Sequence, residues 1–303
     1  MDKNFFAKVS YAVAKFLTRI KMPFSFYEEA TADIHIHGKF PNLNVEPCKD
    51  HFRTPKTLGL FQEMFKTFYK DFENKNLDIW ISCAVDTPEL AFELATALDL
   101  PYVFTYCTSY AMSDRVIAFP DFNSCYNENT FFNPFITPSK CFEASMKPYE
   151  DNRIFWRGTL LDFARICLYD LGKRYPQYLK IEDSTQGQYM HMTEQAKYKY
   201  LIDVRGHGWS GRLQTLLQLG RPIFIADRPF REWYFDRLIA WKHFIPIKED
   251  LSDLIEKYEY MERHPEIYED IVHNARIFVE ENLTPQKVLR DTRDVILKYG
   301  VVN

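Results

Sequence analysis

Glycine is scarce in this chain, with 10 residues in 303 against 26 Phe, 19 Tyr and 5 Trp. So little glycine beside so many aromatics excludes a collagen-like, linker-like or disordered chain and implies large buried cores. No run of 18 apolar residues occurs, so no membrane-spanning helix is expected, and no apolar stretch with a cleavage site marks a secretory leader. No C-x-x-C pair occurs among Cys48, Cys83, Cys107, Cys125, Cys141 and Cys167, which excludes a zinc ribbon and a thioredoxin-type motif. Scattered cysteines in a chain this long make no disulfide scaffold; they read as reduced, mostly buried thiols of a cytosolic protein. Positive charge is not in excess either. The 38 Lys and Arg against 42 Asp and Glu give a net charge of −4, which argues against a broad basic face for nucleic acid. The length fits two domains.

One local excess of charge stands out. Lys3, Lys8, Lys15, Arg19 and Lys21 against Asp2 give residues 1–22 a net charge of +4, leaving −8 for the remainder. Phe5, Phe6, Val9, Val13, Phe16, Leu17 and Ile20 recur at helical spacing, so a basic amphipathic helix is expected. It either packs on its own domain or meets an anionic membrane surface.

Residues 33–40 read as a strand with His35 and His37 on one face. The sequence offers no adjacent carboxylate or thiol cluster to complete a metal site, so the pair reads as ordinary. Thr54-Pro55 reads as an N-cap followed by proline at the first helical position. An apolar stripe from Leu58 through Phe72 follows it. A strand at 77–84, a turn at Asp86-Thr87-Pro88, a helix at 89–98 and a strand at 101–107 make a βαβ unit. Asp86 then stands just beyond the carboxyl end of its strand, the edge where parallel sheets bind ligands. Residues 120–150 lack periodicity and read as a long ordered loop, with a domain boundary near 147.

The second half restarts with a strand at 153–156, then Arg157-Gly158-Thr159 and a helix over about 160–171. A strand at 198–204 leads into Arg205-Gly-His-Gly-Trp-Ser-Gly-Arg212 and a helix that Gly220 stops. A strand at 222–226 and helices near 251–264, 267–281 and 285–299 complete the pattern. Gly206, Gly208 and Gly211 satisfy G-x-G-x-x-G between strand and helix, the arrangement in which backbone N–H groups and a helix N-terminus meet a phosphate. Arg212 can take a phosphate bidentately. Asp227, at a strand end about 20 residues on, keeps a nicotinamide-dependent oxidoreductase open as an alternative. The bulk of Trp209 and the flanking Arg205 and Arg212 count against it, as does the second Arg-Gly strand end. A non-catalytic nucleotide-binding protein is a third reading.

The stretch Tyr198-Lys-Tyr-Leu-Ile-Asp-Val-Arg-Gly-His-Gly-Trp-Ser-Gly-Arg212 resembles the signature of glycosyltransferase family 90. This is the family of Rumi-type protein O-glucosyltransferases, capsule-associated xylosyltransferases and bacterial lipopolysaccharide glycosyltransferases. The likeness continues through Glu232-Trp-Tyr-Phe-Asp-Arg-Leu238, Trp241-Lys-His-Phe-Ile-Pro246 and Asp250-Leu-Ser-Asp253, and Phe155-Trp-Arg-Gly158 fits the family's Arg-Gly strand end. It implies an α/β protein of the GT-B kind, two Rossmann-like domains facing across a cleft. Residues 1–147 would bind the acceptor and 148–284 the UDP-sugar, with the last helix, about 285–303, packing back on the first domain. It implies an inverting, metal-independent transfer of a hexose or xylose, and no Asp-x-Asp is present to clamp a divalent ion. Asp86 would be the catalytic base. Arg157, Gly158, Arg165, His207, Gly208, Trp209, Ser210, Gly211 and Arg212 would bind the donor diphosphate, and Glu232 the ribose. No cofactor and no metal ligand is expected. The missing leader and the basic start favour a cytoplasmic enzyme on the inner face of a membrane. Its acceptor would be a lipid-linked glycan such as lipopolysaccharide core; a protein hydroxyl is the alternative.

Overall fold

The computed structural model of the chain describes residues 34–47, 53–83, 88–121, 124, 138–206, 208 and 210–303. The predicted helix at 1–22, the turn with Asp86 and Thr87, His207 and Trp209 lie outside the described residues.

In chain order the first elements are strands β1 (Ile34–Lys39) and β2 (Asn42–Pro47), helix α1 (Thr54–Thr67) with a one-turn continuation α2 (Tyr69–Phe72), and strand β3 (Asn76–Ile81). Helix α3 (Pro88–Ala97) and the short strands β4 (Val103–Thr105), β5 (Cys107–Ser109) and β6 (Val116–Ala118) follow. Helix α4 (Pro138–Ser145), β7 (Asp151–Gly158), α5 (Phe163–Arg174) and β8 (Leu179–Asp183) come next. Then come β9 (Tyr198–Asp203), α6 (Leu213–Leu217), β10 (Ile223–Ala226), β11 (Phe230–Glu232) and β12 (Ile245–Ile247). Helices α7 (Leu254–Arg263), α8 (Pro265–Asn282) and α9 (Pro285–Tyr299) and the two-residue strand β13 (Val301–Val302) close the order.

The chain divides into two compact units. The described parts of 1–126 form the first unit together with Pro229–Trp233 and Pro285–Asn303; the described parts of 127–228 and Tyr234–Thr284 form the second.

The first unit is built on a sheet of order β2-β1-β3-β4-β6, with β13 also on β3. β3, β4 and β6 run parallel, and β1 and β13 pair antiparallel to β3. The βαβ unit expected over 77–107 is therefore present as β3, α3 and β4. One face of the sheet carries Ile34, Ile36, Ile79 and Ile81, all buried. Helix α1 contributes Leu60, Phe61 and Met64 to the core, and α9 packs on α1 with Val288, Leu289 and Ile296 buried. Thr54 does not cap α1 as expected: the helix already includes it, and the cap position falls to Arg53, which makes no side-chain cap bond. β11 pairs with β5 in a separate two-stranded ribbon, Glu232 opposite Cys107.

The second unit holds a five-stranded, wholly parallel sheet of order β12-β10-β9-β7-β8. Counted within the unit this is the order 2-1-3-4-5, which reverses direction between β7 and β9. A sheet of this order opens a crevice at its switch point, outside the carboxyl ends of those two strands. Trp156, Tyr200, Phe224 and Ile245 build one face of the core with Leu254, Tyr258 and Met261 of α7 and Ile271 of α8. The aperiodic stretch at 120–150 contains a helix, α4, that its polarity concealed. Arg221 fastens α4 to the unit by donating to the carbonyls of Ser145 and Lys147, at 3.3 and 2.5 Å. The sequence reading also missed β8, a half-exposed strand rich in charge.

Candidate functional site

The switch point is flanked by the two segments that carry unusual residues. β7 ends at Gly158, and β9 runs into the glycine loop. The pleat of β7 sends alternate side chains to opposite faces, so Trp156 and Gly158 share one face and Arg157 takes the other.

Trp156 is fully buried and forms the floor of the site. The guanidinium of Arg212 lies over its ring, 4.9 Å from the centroid, and that of Arg165 lies 5.9 Å away. Arg212 Nη1 donates to the carbonyl of Arg157 at 2.7 Å. Arg165 donates to the carbonyls of Arg205 and Thr159, both at 3.2 Å. Neither cation forms an ion pair among the described residues. Gly158 makes this packing possible: a Cβ there would stand 2.7 Å from Arg212 Nη2 and 2.7 Å from Trp156 Cζ2. The indole Nε1 of Trp156 finds no acceptor among the described residues, which leaves a buried donor beneath the two guanidiniums.

Withdrawal from water pushes Arg212 down to about 10; Asp203 opposes that shift and the neighbouring Arg165 adds to it. Burial lowers Arg165 as well, against the opposing pull of Asp203 and Asp162. Both remain cations at neutral pH. Two desolvated like charges held by carbonyls rather than carboxylates are suited to receive an anion.

Asp203, at the end of β9, shapes the loop from below. It accepts from Ser210 Oγ at 2.5 Å and from Arg228 Nη1 at 2.6 Å, and the side chains of Asp203 and Arg228 are both 0% exposed. Ser210 therefore spends its hydroxyl on the scaffold. Gly208, Ser210 and Gly211 lie in the loop where they were expected. The helix after the loop is only five residues, Leu213–Leu217, so the field at this site comes from arginines more than from a helix dipole.

Two expected donor residues are placed differently. The side chain of Arg157 does not reach the loop: it donates to Glu182 Oε2 at 2.7 Å and to the carbonyls of Gln186 and Gln188 at 3.1 and 2.7 Å. Only its backbone carbonyl serves the site. Glu232 is buried on β11 opposite Cys107, in the first unit, whereas Trp156 and its arginines belong to the second. Trp156, Asp203 and Arg228 were not singled out from sequence. The available signal was a carboxylate closing the apolar run of β9.

The strand, glycine loop, short helix and strand of β9, α6 and β10, with Asp227 at the end of β10, fit a nucleotide site of more than one kind. Comparison with known proteins gives the family. The model described as Glycosyl transferase family 90 matches residues 73–302, and the chain belongs to that family of sugar-transferring enzymes. With its two units, each built on a sheet with parallel strands, it is an α/β protein. Human Protein O-glucosyltransferase 3 is 28% identical over 160 residues, which cover 49% of this chain and 32% of that protein. Human Protein O-glucosyltransferase 1 is 29% identical over 111 residues, covering 37% and 28% respectively. The matched stretch thus spans about a third of the length of these relatives. Among solved structures, TarM superposes with a TM-score of 0.46 at 9% identity, over 69% of this chain and 46% of TarM.

Proposed function

We propose that this chain moves a sugar from a UDP-sugar to an acceptor hydroxyl, with inversion at the anomeric carbon and without a metal on the diphosphate. The observation that carries the reading is the pair Arg165 and Arg212. They sit at the switch point of a parallel sheet, desolvated on Trp156 and without a carboxylate partner among the described residues. In the transfer, the acceptor oxygen bonds to the anomeric carbon and gives its proton to Asp86. The bond from that carbon to the diphosphate breaks, and its electron pair stays on the departing phosphate oxygen. Arg212 and Arg165 stabilise this new charge, with the backbone amides of 207–211, His207 and Trp209 included, lining the diphosphate. Gly158 keeps the space open, the carbonyl of Arg157 aims Arg212, and Glu232 accepts from the ribose.

Glucose is the first candidate sugar because the relatives named above are glucosyltransferases. For the acceptor we favour a lipid-linked glycan such as lipopolysaccharide core, at the cytoplasmic face of a membrane. The basic amphipathic pattern of residues 1–22 supports that choice. A protein hydroxyl is the second reading, favoured by the same relatives' names.

The test is release of UDP by the purified full chain from UDP-glucose, UDP-galactose, UDP-xylose and UDP-N-acetylglucosamine, with EDTA present and NAD(H) binding measured alongside. Slow hydrolysis of one donor, lost in Arg212→Ala, is expected. Silence on all four with clear NAD(H) binding would return the glycine loop to the oxidoreductase reading. Adding core oligosaccharide or a serine-bearing protein module then separates the two acceptors.

A further inference from the structure

The outer face of the first sheet holds a second group of chemically able side chains, far in sequence from the glycine loop. β1 places His35 and His37 two residues apart on that face. β2 sets Glu46 directly opposite His35, and β3 sets Asp78 opposite His37. The carboxylates that sequence alone did not supply are therefore provided by strand register.

The hydrogen bonds give the group a direction. Asp78 Oδ1 accepts from His35 Nε2 at 2.7 Å, which leaves Nδ1 as the nitrogen turned towards Glu46. That Nδ1 faces Glu46 Oε2 at 3.9 Å, while His37 Nε2 lies 3.2 Å from Glu46 Oε1. A carboxylate flanked by two imidazole nitrogens stabilises a cation placed among them, whether an imidazolium proton or a metal ion. One ligand atom from each of His35, His37 and Glu46 falls within 4.8 Å of the others. Ligand atoms around a tetrahedral ion with bonds of about 2.0–2.2 Å stand roughly 3.4 Å apart. Closing the group to that size turns the more exposed His37 ring out of its stack on His35, while His35 stays on Trp80.

The surroundings hold the ligands in place. His35 is stacked between His37, with ring centroids 4.3 Å apart, and Trp80, at 3.7 Å. Its side chain is 14% exposed, whereas that of Glu46 is 63% exposed, so the group is anchored on one side and open to solvent on the other. All three ligands precede residue 73, where the family match begins.

We propose that His35, His37 and Glu46 bind a borderline first-row divalent cation of the zinc class, with Asp78 as the positioning residue behind His35. Two imidazoles and a carboxylate are the donor set that suits such ions. A carboxylate on the far nitrogen of a ligating histidine fixes its ring and raises its basicity. The ion clamps the edge hairpin β1–β2 and leaves a coordination position to solvent.

Equilibrium dialysis of the tag-free, EDTA-treated full chain against zinc tests this, with cobalt(II) as a spectroscopic probe. One zinc per chain is expected, together with the visible absorption of tetrahedral cobalt(II). H37Q and E46Q alter the more exposed ligands, so far-UV circular dichroism should stay native while zinc affinity falls at least about 100-fold. D78N should keep one site but weaken it by about 10–100-fold, the cost typical of losing an outer carboxylate, and should shift the cobalt spectrum. Absence of stoichiometric zinc would overturn the proposal. So would zinc bound undiminished by both H37Q and E46Q. Sugar-donor hydrolysis does not enter the readout, so this test and that of the transferase fail independently.

Discussion

Replacing Gly158 by alanine adds one methyl group at the most crowded point of the candidate donor site. The new Cβ would lie 2.7 Å from Arg212 Nη2 and 2.7 and 2.9 Å from the Trp156 ring, where ordinary contact begins at 3.4 Å. Trp156 is 0% exposed and has nowhere to go. Arg212, the soft end of a long side chain, must yield by roughly 0.7 Å, a displacement large enough to weaken its 2.7 Å bond to the Arg157 carbonyl. Two costs follow. Folding loses a charged hydrogen bond and gains overpacking, together about 2.5–6 kcal/mol, or a fall in Tm of about 5–20 °C. Binding loses a guanidinium aimed at the diphosphate, about 1.5–3 kcal/mol, which is roughly 10–150-fold in Kd for UDP. Calorimetric titration of UDP and thermal unfolding of the same preparations measure both. A lower Tm with UDP affinity within twofold of the unaltered chain would mean that Arg212 is a packing residue. No change in either would mean that the close approach of Gly158, Arg212 and Trp156 does not exist in solution.

Other expected outcomes separate the two neighbouring arginines. Arg157→Met, which breaks the pair with Glu182, should lower stability by about 1–2 kcal/mol and leave Kd for UDP within threefold. Arg212→Met should raise that Kd by roughly 10–100-fold. Unfolding curves and UDP titrations of both variants read the contrast, and equal effects on binding would contradict the placement of Arg157. Arg228→Met removes the cation from buried Asp203 and leaves it Ser210 Oγ as donor, so urea unfolding should report a loss of about 3–5 kcal/mol, and a loss below about 1 kcal/mol would refute the buried pair. Burial pushes the Cys141 thiol up to about 12, so at pH 8 only about one part in ten thousand is thiolate. Because the proton leaves only as pH rises toward that value, iodoacetamide at pH 8 should spare Cys141 until the chain is unfolded. Peptide mapping that finds it alkylated in the native protein would contradict its burial.

Much of this fold is legible in the sequence because local pattern and tertiary role agree. The apolar runs of β3 and β9 and the prolines at the starts of α1, α3 and α9 read correctly, and Gly220, with φ +61°, follows two residues after the cap of α6. What was not legible depends on partners distant in sequence. β2, Asn-Leu-Asn-Val-Glu-Pro, is an exposed edge strand whose composition resembles a loop, and β8 is similarly polar. β11 is three residues whose unit is set by pairing to β5. The loop arginines were readable as a charged cluster, but their orientation was not. Arg157 and Gly158 were expected to act together, whereas the pleat of β7 sends neighbouring residues to opposite faces. That alternation could have been applied to the strand end from sequence. The partnership of Asp203 with Arg228 could not, because it depends on the register of β9 and β10. The same holds for His35 and His37, whose carboxylates arrive from two other strands.

The division of the chain has a consequence for its synthesis. The first unit is finished by α9 and by β13, whose Val302 pairs with Asn76, 226 residues earlier. The whole contiguous stretch 234–284 of the second unit leaves the ribosome before those residues do. The second unit can therefore complete its parallel sheet while the first still lacks a helix on α1 and a strand beside β3. Closing so long a loop costs little more free energy than closing a short one, since the penalty grows only with the logarithm of its length. It does delay the event, because contacts of such separation form late. During translation the nascent first unit thus exposes the part of α1 and α2 that α9 covers, where Arg293 lies over Phe68 and pairs with Asp71, until α9 arrives. That interval is when a chaperone would find this chain.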